Sequence, residues 1–496
     1  MSSNYTSQLK ALRTVAADGT LSYPRFAEEQ LIRLFNTLSE QRDALVAALV
    51  TDVGATTPEA QVEVAEVLQL VKDLAAQADF AMVSKRKETE LAETGAIKKG
   101  KGIVVVKSDE ASPVYSTIAP LATAISTGNA VVCVLPSSTS AISSLLRTSL
   151  TASLNRSAYL FALSSDFETI IRDFGGEGPA LVVSRATSRT ATPSISSASG
   201  TSGSTVLVDR LTSNSSPSQI ARLVLRGKFH RLGRLSGSVG RVLVHETSSG
   251  LVVDALLREL KEAYGVDAVL SGDYGRFPGS NGWNGERFVR DEREKGSGKI
   301  LAGGARTPKD EAGFFPPTVV FQPSRDLFQR DVSGPLLLVD TFTSHEDALV
   351  KLKQLDSTVL YLFSDSATIE YLAVETTAKA IYGNDITLSA LYDPHKALSN
   401  QALYTTTTSL VRASSASTAT SLFAPFTPSR LAAVAALFPR ERRLSWNRKA
   451  HSGSVLRVFF LQGVFLSLGS ILVVFLGSAG WAGWLATKWI KRTYFA

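Results

Sequence analysis

Between residues 103 and 208, short β-branched runs alternate with helical stretches, and that rhythm restricts the chain to few folds. Ile103–Val106 reads as a strand. Ile118–Ile125 suits a helix closed by Gly128, and Ala130–Leu135 is a second strand, followed by a helix near 138–152. Tyr159–Leu163 and Leu181–Val183 are further strands, separated by Phe167–Phe174, and Val206–Val208 follows. This alternation predicts an α/β fold on an open parallel sheet with helices on both faces. Such sheets bind ligands beyond the C-terminal ends of their strands.

Upstream, Leu31, Leu34, Phe35, Leu38, Leu45 and Leu49 recur at helical spacing. After Pro58, a residue suited to a first helical turn, Val64, Val67, Leu68, Val71, Leu74 and Ala75 do the same. Both stretches, 24–50 and 58–82, read as surface helices whose stripes serve packing alone. Residues 184–204 and 405–421 are rich in Ser, Thr, Ala and Gly and read as flexible loops. No internal repeat is visible. A chain of 496 residues, 44% of them hydrophobic, has material for two or three domains.

The net charge is +7. Much of the excess is local: Arg430, Arg440, Arg442, Arg443, Arg448, Lys449 and Arg457 face one acid, Glu441. They directly precede a run without a charged residue, Val458 to Thr487. About 20 apolar residues suffice to cross a bilayer, so the tail is expected to be a membrane anchor rather than a buried core or groove-binding helix. Trp481, Trp484, Trp489 and Tyr494 gather at its far end, where aromatic rings favour the headgroup layer. The basic cluster is then a lipid contact, not a nucleic-acid site. Lys488, Lys491 and Arg492 pull the orientation the other way, but the large body and the absence of an N-terminal apolar signal place the body in the cytosol. Gly477, Gly480 and Gly483 leave a re-entrant hairpin open. With one cysteine, Cys133, no intramolecular disulfide can form, and the five scattered histidines offer no metal-ligand spacing.

Several segments stand in a telling order. Ala119-Pro-Leu-Ala-Thr-Ala-Ile-Ser-Thr-Gly-Asn-Ala-Val-Val132 resembles GPLxxAIAAGNAVV. Arg226-Gly-Lys-Phe229 with Gly233, Val242-Leu-Val-His-Glu246, Leu260–Gly265, Asp273–Arg276, Ala302–Gly304 and Phe315–Val319 follow. Gly334-Pro335, Tyr361–Ser364, Gly383–Asp385 and Pro425–Leu437 complete the series. Together, over roughly residues 8–440, they resemble the aldehyde dehydrogenase superfamily. Within it they resemble the class 3 branch, which includes membrane-anchored fatty aldehyde and fungal apocarotenal dehydrogenases.

That resemblance implies a cysteine thiolate that attacks the aldehyde and an oxyanion hole with an asparagine donor. It also implies hydride transfer to NAD or NADP, and a glutamate that activates water. At the nucleophile position stands Ser236, after His230-Arg-Leu-Gly-Arg-Leu235 in place of xNxGQT. A hydroxyl is far less acidic than a thiol of pKa roughly 8.5 and needs an adjacent base. The asparagine of PWNYP falls on Ala111, in Asp109-Glu-Ala-Ser-Pro113. Losing one oxyanion donor costs roughly 100- to 1,000-fold. The glutamate position lies near Ser199, in a stretch from 178 to 208 without an acid. For the cofactor, no lysine follows Val132; Ser137 is the nearest ribose-side candidate, and Asp331 stands where a second ribose-holding glutamate is implied. The glycine turn that meets pyrophosphate aligns with Ser184–Arg189.

The expected architecture has N-terminal helices and a Rossmann-type dinucleotide-binding domain over 1–210 and a second, catalytic-type α/β domain over 211–395. A C-terminal segment and basic linker would cover 396–454, and a transmembrane helix 455–490. Three functions stay open. One is a pseudoenzyme that binds or partners, as a homodimer or beside an active relative. The second is a membrane-bound dehydrogenase of a lipophilic aldehyde. The third is another chemistry at Ser236, such as ester hydrolysis with His230. Residence at the endoplasmic reticulum is implied by the anchored branch.

Overall fold

Two sheets organise the chain. The computed structural model describes residues 5–80, 83–85, 100–174, 179, 181–184, 204–211, 216–265, 268, 271–278, 283, 285–304, 313–330, 332–355, 357, 359–378, 380–393 and 409–412. Helices α1 (Thr6–Ala17), α2 (Pro24–Glu40), α3 (Arg42–Val53) and α4 (Thr57–Gln77) come first. A strand-helix alternation follows: β1 (Ile103–Lys107), α5 (Pro113–Ser126), β2 (Ala130–Leu135), α6 (Ser140–Ser153), β3 (Tyr159–Leu163), α7 (Phe167–Phe174) and β4 (Leu181–Ser184). These four strands form a parallel sheet in the order β3-β2-β1-β4. Every residue of β2 is buried, as expected of a strand covered on both faces.

The second sheet takes β5 (Ser204–Val208), β6 (Val239–His245), β7 (Lys299–Ala302), β8 (Thr318–Phe321), β9 (Leu336–Phe342), β10 (Val359–Phe363), β11 (Ala380–Gly383) and β12 (Ser409–Arg412). Their order is β12-β11-β10-β5-β6-β9-β8-β7, parallel except for the β7–β8 pair. Between them run α8 (Pro217–Phe229), α9 (Glu246–Tyr264), α10 (Glu286–Lys295), α11 (Arg325–Gln329), α12 (His345–Leu355), α13 (Ser366–Glu375) and α14 (Leu388–Tyr392). The core of this half includes Leu207, Leu243, Phe315, Leu338 and Leu362. Both sheets belong to one compact unit, Met1–Arg443.

The α/β class and the parallel sheet match the sequence reading, with three corrections. Val206–Val208 does not extend the first sheet; it lies in β5, between β10 and β6 of the second. Residues 405–421, read as a loop, include the edge strand β12 beside β11. The 58–82 stretch is no surface helix, because α4 is buried along most of its length, Glu63 included. Its start is sharply defined by a capping box: the Thr56 hydroxyl accepts from Glu59 N–H and Glu59 accepts from Thr56 N–H at 3.0 Å. The remainder of 396–454 and the expected anchor at 455–490 lie outside the described residues. Among the described residues, no helix is long and apolar enough to cross a membrane.

Candidate functional site

The loop that resemblance assigns to the nucleophile begins where α8 ends. At His230 the chain leaves the helix through Arg231 (φ 54°, ψ 36°) and Leu232 (φ 55°, ψ 28°), two left-handed residues in succession. Left-handed backbone is unfavourable for side chains with a Cβ, by roughly 1–2 kcal/mol each. The turn therefore persists only because its surroundings hold it. Gly233 continues it at φ 65°, where a Cβ would stand 2.5 Å from the Gly334 carbonyl oxygen. The loop then reaches half-buried Ser236, three residues before β6.

Ser236 does not face a base. Its Oγ donates to the Tyr392 carbonyl oxygen at 3.4 Å, an acceptor that cannot take a proton. Gly237 is pinned beside it: its N–H donates to the Leu391 carbonyl at 3.0 Å, and its carbonyl accepts from the Tyr361 hydroxyl at 3.1 Å. His230, the one nearby imidazole in sequence, turns elsewhere. Its Nε2 pairs with the Tyr392 hydroxyl at 2.9 Å and its Nδ1 lies 3.8 Å from Glu59 Oε1.

Arg231 crosses to the other half of the site. Its Nη2 donates to the Ala111 carbonyl at 2.6 Å and forms an ion pair with Glu63 Oε2 at 3.0 Å. Both side chains are almost wholly buried, at 1% and 0% exposure. Glu63 Oε1 accepts from Val114 and Tyr115 N–H at 3.1 and 3.0 Å, capping α5. Burial pushes the Glu63 carboxyl above its ordinary range, against the pull of Arg231 and the two amides. Glu59 also holds the turn, accepting from Arg231 N–H at 2.7 Å. Tyr115 and Tyr392 stack with ring centroids 4.9 Å apart. Ala111 itself is buried and carries only a methyl group, so the implied oxyanion side-chain donor is missing.

Asp109 lies at the C-terminal end of the central part of the first sheet, just after β1. Burial pushes its carboxyl up to about 6, partly offset by the Ala111 and Glu110 amides and the Arg234 charge. A folded-state pKa above the unfolded value means the native state binds the extra proton. The stability this gives is therefore present below pH ~4 and lost as pH rises through ~6. Asp109→Asn should stabilise the chain above pH 6, by up to about 3 kcal/mol at 1.36 kcal/mol per unit, and lose that advantage near pH 4. Urea unfolding at both pH values checks this.

Cys133 sits inside β2, fully buried, and burial raises its thiol far above the ordinary range. It is a packing residue, not a nucleophile. Thiol reagents should leave the native chain unmodified and label it once in denaturant, as mass spectrometry would show.

Ser137, the cofactor candidate, stands exposed just beyond the C-terminal end of β2, with its Oγ 2.8 Å from Ser164 Oγ. It borders a cleft of about 650 Å³, whose lining includes Ser140, Ser144, Thr148, Arg147 and Arg156. Hydroxyls and two guanidinium groups suit the ribose and phosphate oxygens of a dinucleotide such as NAD or NADP. The residues after Val132, where resemblance implies a lysine, are Cys133, Val134 and Leu135, all buried. Asp331, the Ser199 region and most of Ser184–Arg189 lie outside the described residues. Among the described residues no group of His, Cys, Asp or Glu side chains is placed to hold a metal.

The sequence reading singled out Ser236 and Ala111 but did not include Arg231, which links the Ser236 loop to the Ala111 carbonyl. Glu59, Glu63 and Glu66 recur at i, i+4 and i+7 among the apolar residues of the first half of α4, and acids on a buried face require partners. That was the available signal. Arg231 and Arg226 answer it, the latter drawing down a Glu66 carboxyl that burial raises.

Known proteins place this architecture. A model described as "Aldehyde dehydrogenase family" matches residues 24–158. The rat "Aldehyde dehydrogenase, dimeric NADP-preferring" is 25% identical over 403 residues, 77% of this chain and 86% of its own. Over about three quarters of its length the chain is similar to aldehyde dehydrogenases of class 3. Its class 3 character is supported by "Aldehyde dehydrogenase family 3 member H1" of Arabidopsis thaliana, 27% identical over 76% of this chain and 80% of that protein. Among solved structures, the substrate-bound state of Staphylococcus aureus AldH shares the fold with a TM-score of 0.65 at 20% identity, covering 78% of this chain and 86% of that one. A Staphylococcus aureus betaine aldehyde dehydrogenase in complex with NAD+ gives 0.61 at 17% identity, covering 77% and 79%. By that likeness, Ser236 stands at the implied nucleophile position, and the buried Arg231–Glu63 pair lies beside the implied oxyanion residue Ala111.

Proposed function

We propose that this aldehyde dehydrogenase homologue is a pseudoenzyme, held at a membrane and acting as a binding or partner subunit. One observation carries the reading: Arg231, braced by Glu63, is hydrogen-bonded to Ala111 between the nucleophile loop and the oxyanion segment, while Ser236 faces a carbonyl. A serine needs a base to become a nucleophile, and a tetrahedral oxyanion needs aimed donors. The described residues supply neither at Ser236. The uncharged run from Val458 and the basic residues before it support a single-pass C-terminal anchor with a cytosolic body. Endoplasmic reticulum is the membrane proposed, by likeness to the anchored class 3 branch. The partner would be a second copy of the chain or an active relative.

The cleft beside Ser137 favours one alternative, an active NAD(P)-dependent oxidoreductase that converts a lipophilic fatty or isoprenoid aldehyde to its acid. NAD or NADP would meet Ser137, Arg147 and Arg156 there and would supply the hydride acceptor. Two measurements separate the readings. Full-length protein and its Ser236→Cys variant are incubated with a long-chain aldehyde and either cofactor, and calorimetry follows cofactor binding. The pseudoenzyme reading expects no reduced cofactor from either chain. Strong turnover by Ser236→Cys sinks it, whereas cofactor binding without turnover leaves a silent binding subunit.

A further inference from the structure

The cleft beside α6 carries its positive charge in an unusual place. Ser140, Ser144, Arg147, Thr148 and Thr151, at i, i+4, i+7, i+8 and i+11, share one face of α6 and line it. Its space of about 650 Å³ is bounded by Ser137 and Leu163, near the C-terminal ends of β2 and β3, and by Arg156 beyond the end of α6. Among the described residues, no acid and no aromatic ring lines it. Ser140, Ser144, Arg147 and Thr148 are exposed, and no hydrogen bond or ion pair engages their side chains among the described residues. Arg156 is fastened at Thr151, one turn beyond Arg147, where its Nε donates to the Thr151 carbonyl at 3.0 Å.

The two nearby helix starts are closed to an outside anion. Ile142 N–H of α6 donates to Asp52 at 2.9 Å, as Val114 and Tyr115 N–H of α5 donate to Glu63. A dinucleotide's pyrophosphate commonly sits at such a start. Here the positive charge stands on the flank of α6 instead. Two guanidinium groups in one cleft without an acid call for a doubly charged partner. A phosphate monoester carries about −1.5 to −2 near pH 7 and presents three oxygens to such forks. The row of hydroxyls suits a polyol. We propose that this cleft binds a phosphorylated sugar or polyol, its phosphate monoester held by Arg147 and Arg156 and its hydroxyls by Ser140, Ser144 and Thr148. The inference rests on the binding half of the pseudoenzyme reading, gives it a ligand class, and needs no chemistry at Ser236. A free sugar phosphate and the headgroup of a phosphorylated inositol lipid share this chemistry.

The test is calorimetry of the full-length protein with ribose 5-phosphate, ribose, inorganic phosphate, NAD and NADP, without aldehyde. Turnover is measured apart, so it can overturn the pseudoenzyme reading without deciding this one. Ribose 5-phosphate should bind more tightly than ribose or inorganic phosphate alone. NADP, which carries a monoester, should compete with it, and NAD should not. Arg147→Gln and Arg156→Gln should each weaken binding roughly tenfold or more, the usual worth of a hydrogen bond to a charged group. Both side chains are exposed, so neither change threatens the fold, and Arg172→Gln, an exposed arginine of α7 outside the cleft, should change nothing. Glycerophosphoinositol 4-phosphate, a lipid headgroup without its tails, names the source: tighter binding than ribose 5-phosphate assigns the lipid, and weaker binding assigns the free sugar. Absence of binding by both phosphorylated probes overturns the proposal, as does binding that survives both arginine substitutions. Equal competition by NAD and NADP also overturns it, because the cleft is then an ordinary dinucleotide crevice and the dehydrogenase alternative gains.

Discussion

Arg231→Met is expected to destabilise the folded body by about 3–5 kcal/mol, the usual loss when one partner of a buried ion pair is removed. The reason lies less in the attraction lost than in the charge left behind. Glu63 has no exposed surface, so it cannot recover hydration, and two amides alone must hold its negative charge. Protonation is the escape. With Arg231 gone, the Glu63 carboxyl rises further from its ordinary value, and the variant should bind a proton that its unfolded chain releases. Its deficit against wild type should therefore shrink toward acid pH and widen toward neutral pH. Glu63→Gln combined with Arg231→Met should recover most of the loss, because glutamine still accepts from the two amides and carries no charge. Urea titration followed by circular dichroism, on single and double variants, measures all three. A double variant as unstable as Arg231→Met alone would show that packing, not charge, dominates there.

The second large effect is expected at Gly237. A Cβ there would stand 2.1 Å from the Ala390 carbonyl oxygen and 2.9 Å from Leu391 Cα, both backbone atoms that cannot swing aside. Gly237→Ala should push the Ser236 loop off α14 and cost about 3 kcal/mol or more, the upper end for overpacking a closed site. Gly250, exposed inside α9 with nothing within 4 Å of its missing Cβ, is the control. Gly250→Ala should be neutral or stabilising by up to about 1 kcal/mol through helix propensity. Comparable losses at both glycines would mean the loop is not seated as described.

Strand and helix positions in the first sheet were legible because each is a local pattern. β2 and β3 match the sequence reading residue for residue. α5 starts earlier than the apolar run suggested, at Pro113, because Glu63, fifty residues upstream, accepts from its first amides. No local window contains that information. The assignment of β5 failed for the same reason, since its neighbours β6 and β10 lie far downstream. At the site, Ser236 and Ala111 could be singled out only by counting from kept neighbours, Gly227-Lys-Phe229 and Pro113. What fills the space between them could not. The left-handed Arg231 and Leu232 break a strong preference of the backbone, and only the finished packing of α4, α5 and α14 explains why they stay there.

The position of β5 also sets a timetable for synthesis. All four strands of the first sheet, together with their crossover helices, have been made once the chain reaches residue 184. That layer can form while the ribosome is still working. β5 emerges next but must wait for β10, which ends at Phe363, before both its edges are paired. During that interval the strand Ser-Thr-Val-Leu-Val, with its three apolar residues, offers an open edge to any neighbouring nascent chain. Messages cut between those points would release polypeptides with a complete first layer and a sticky, half-built second one, a product suited to a chaperone or a protease.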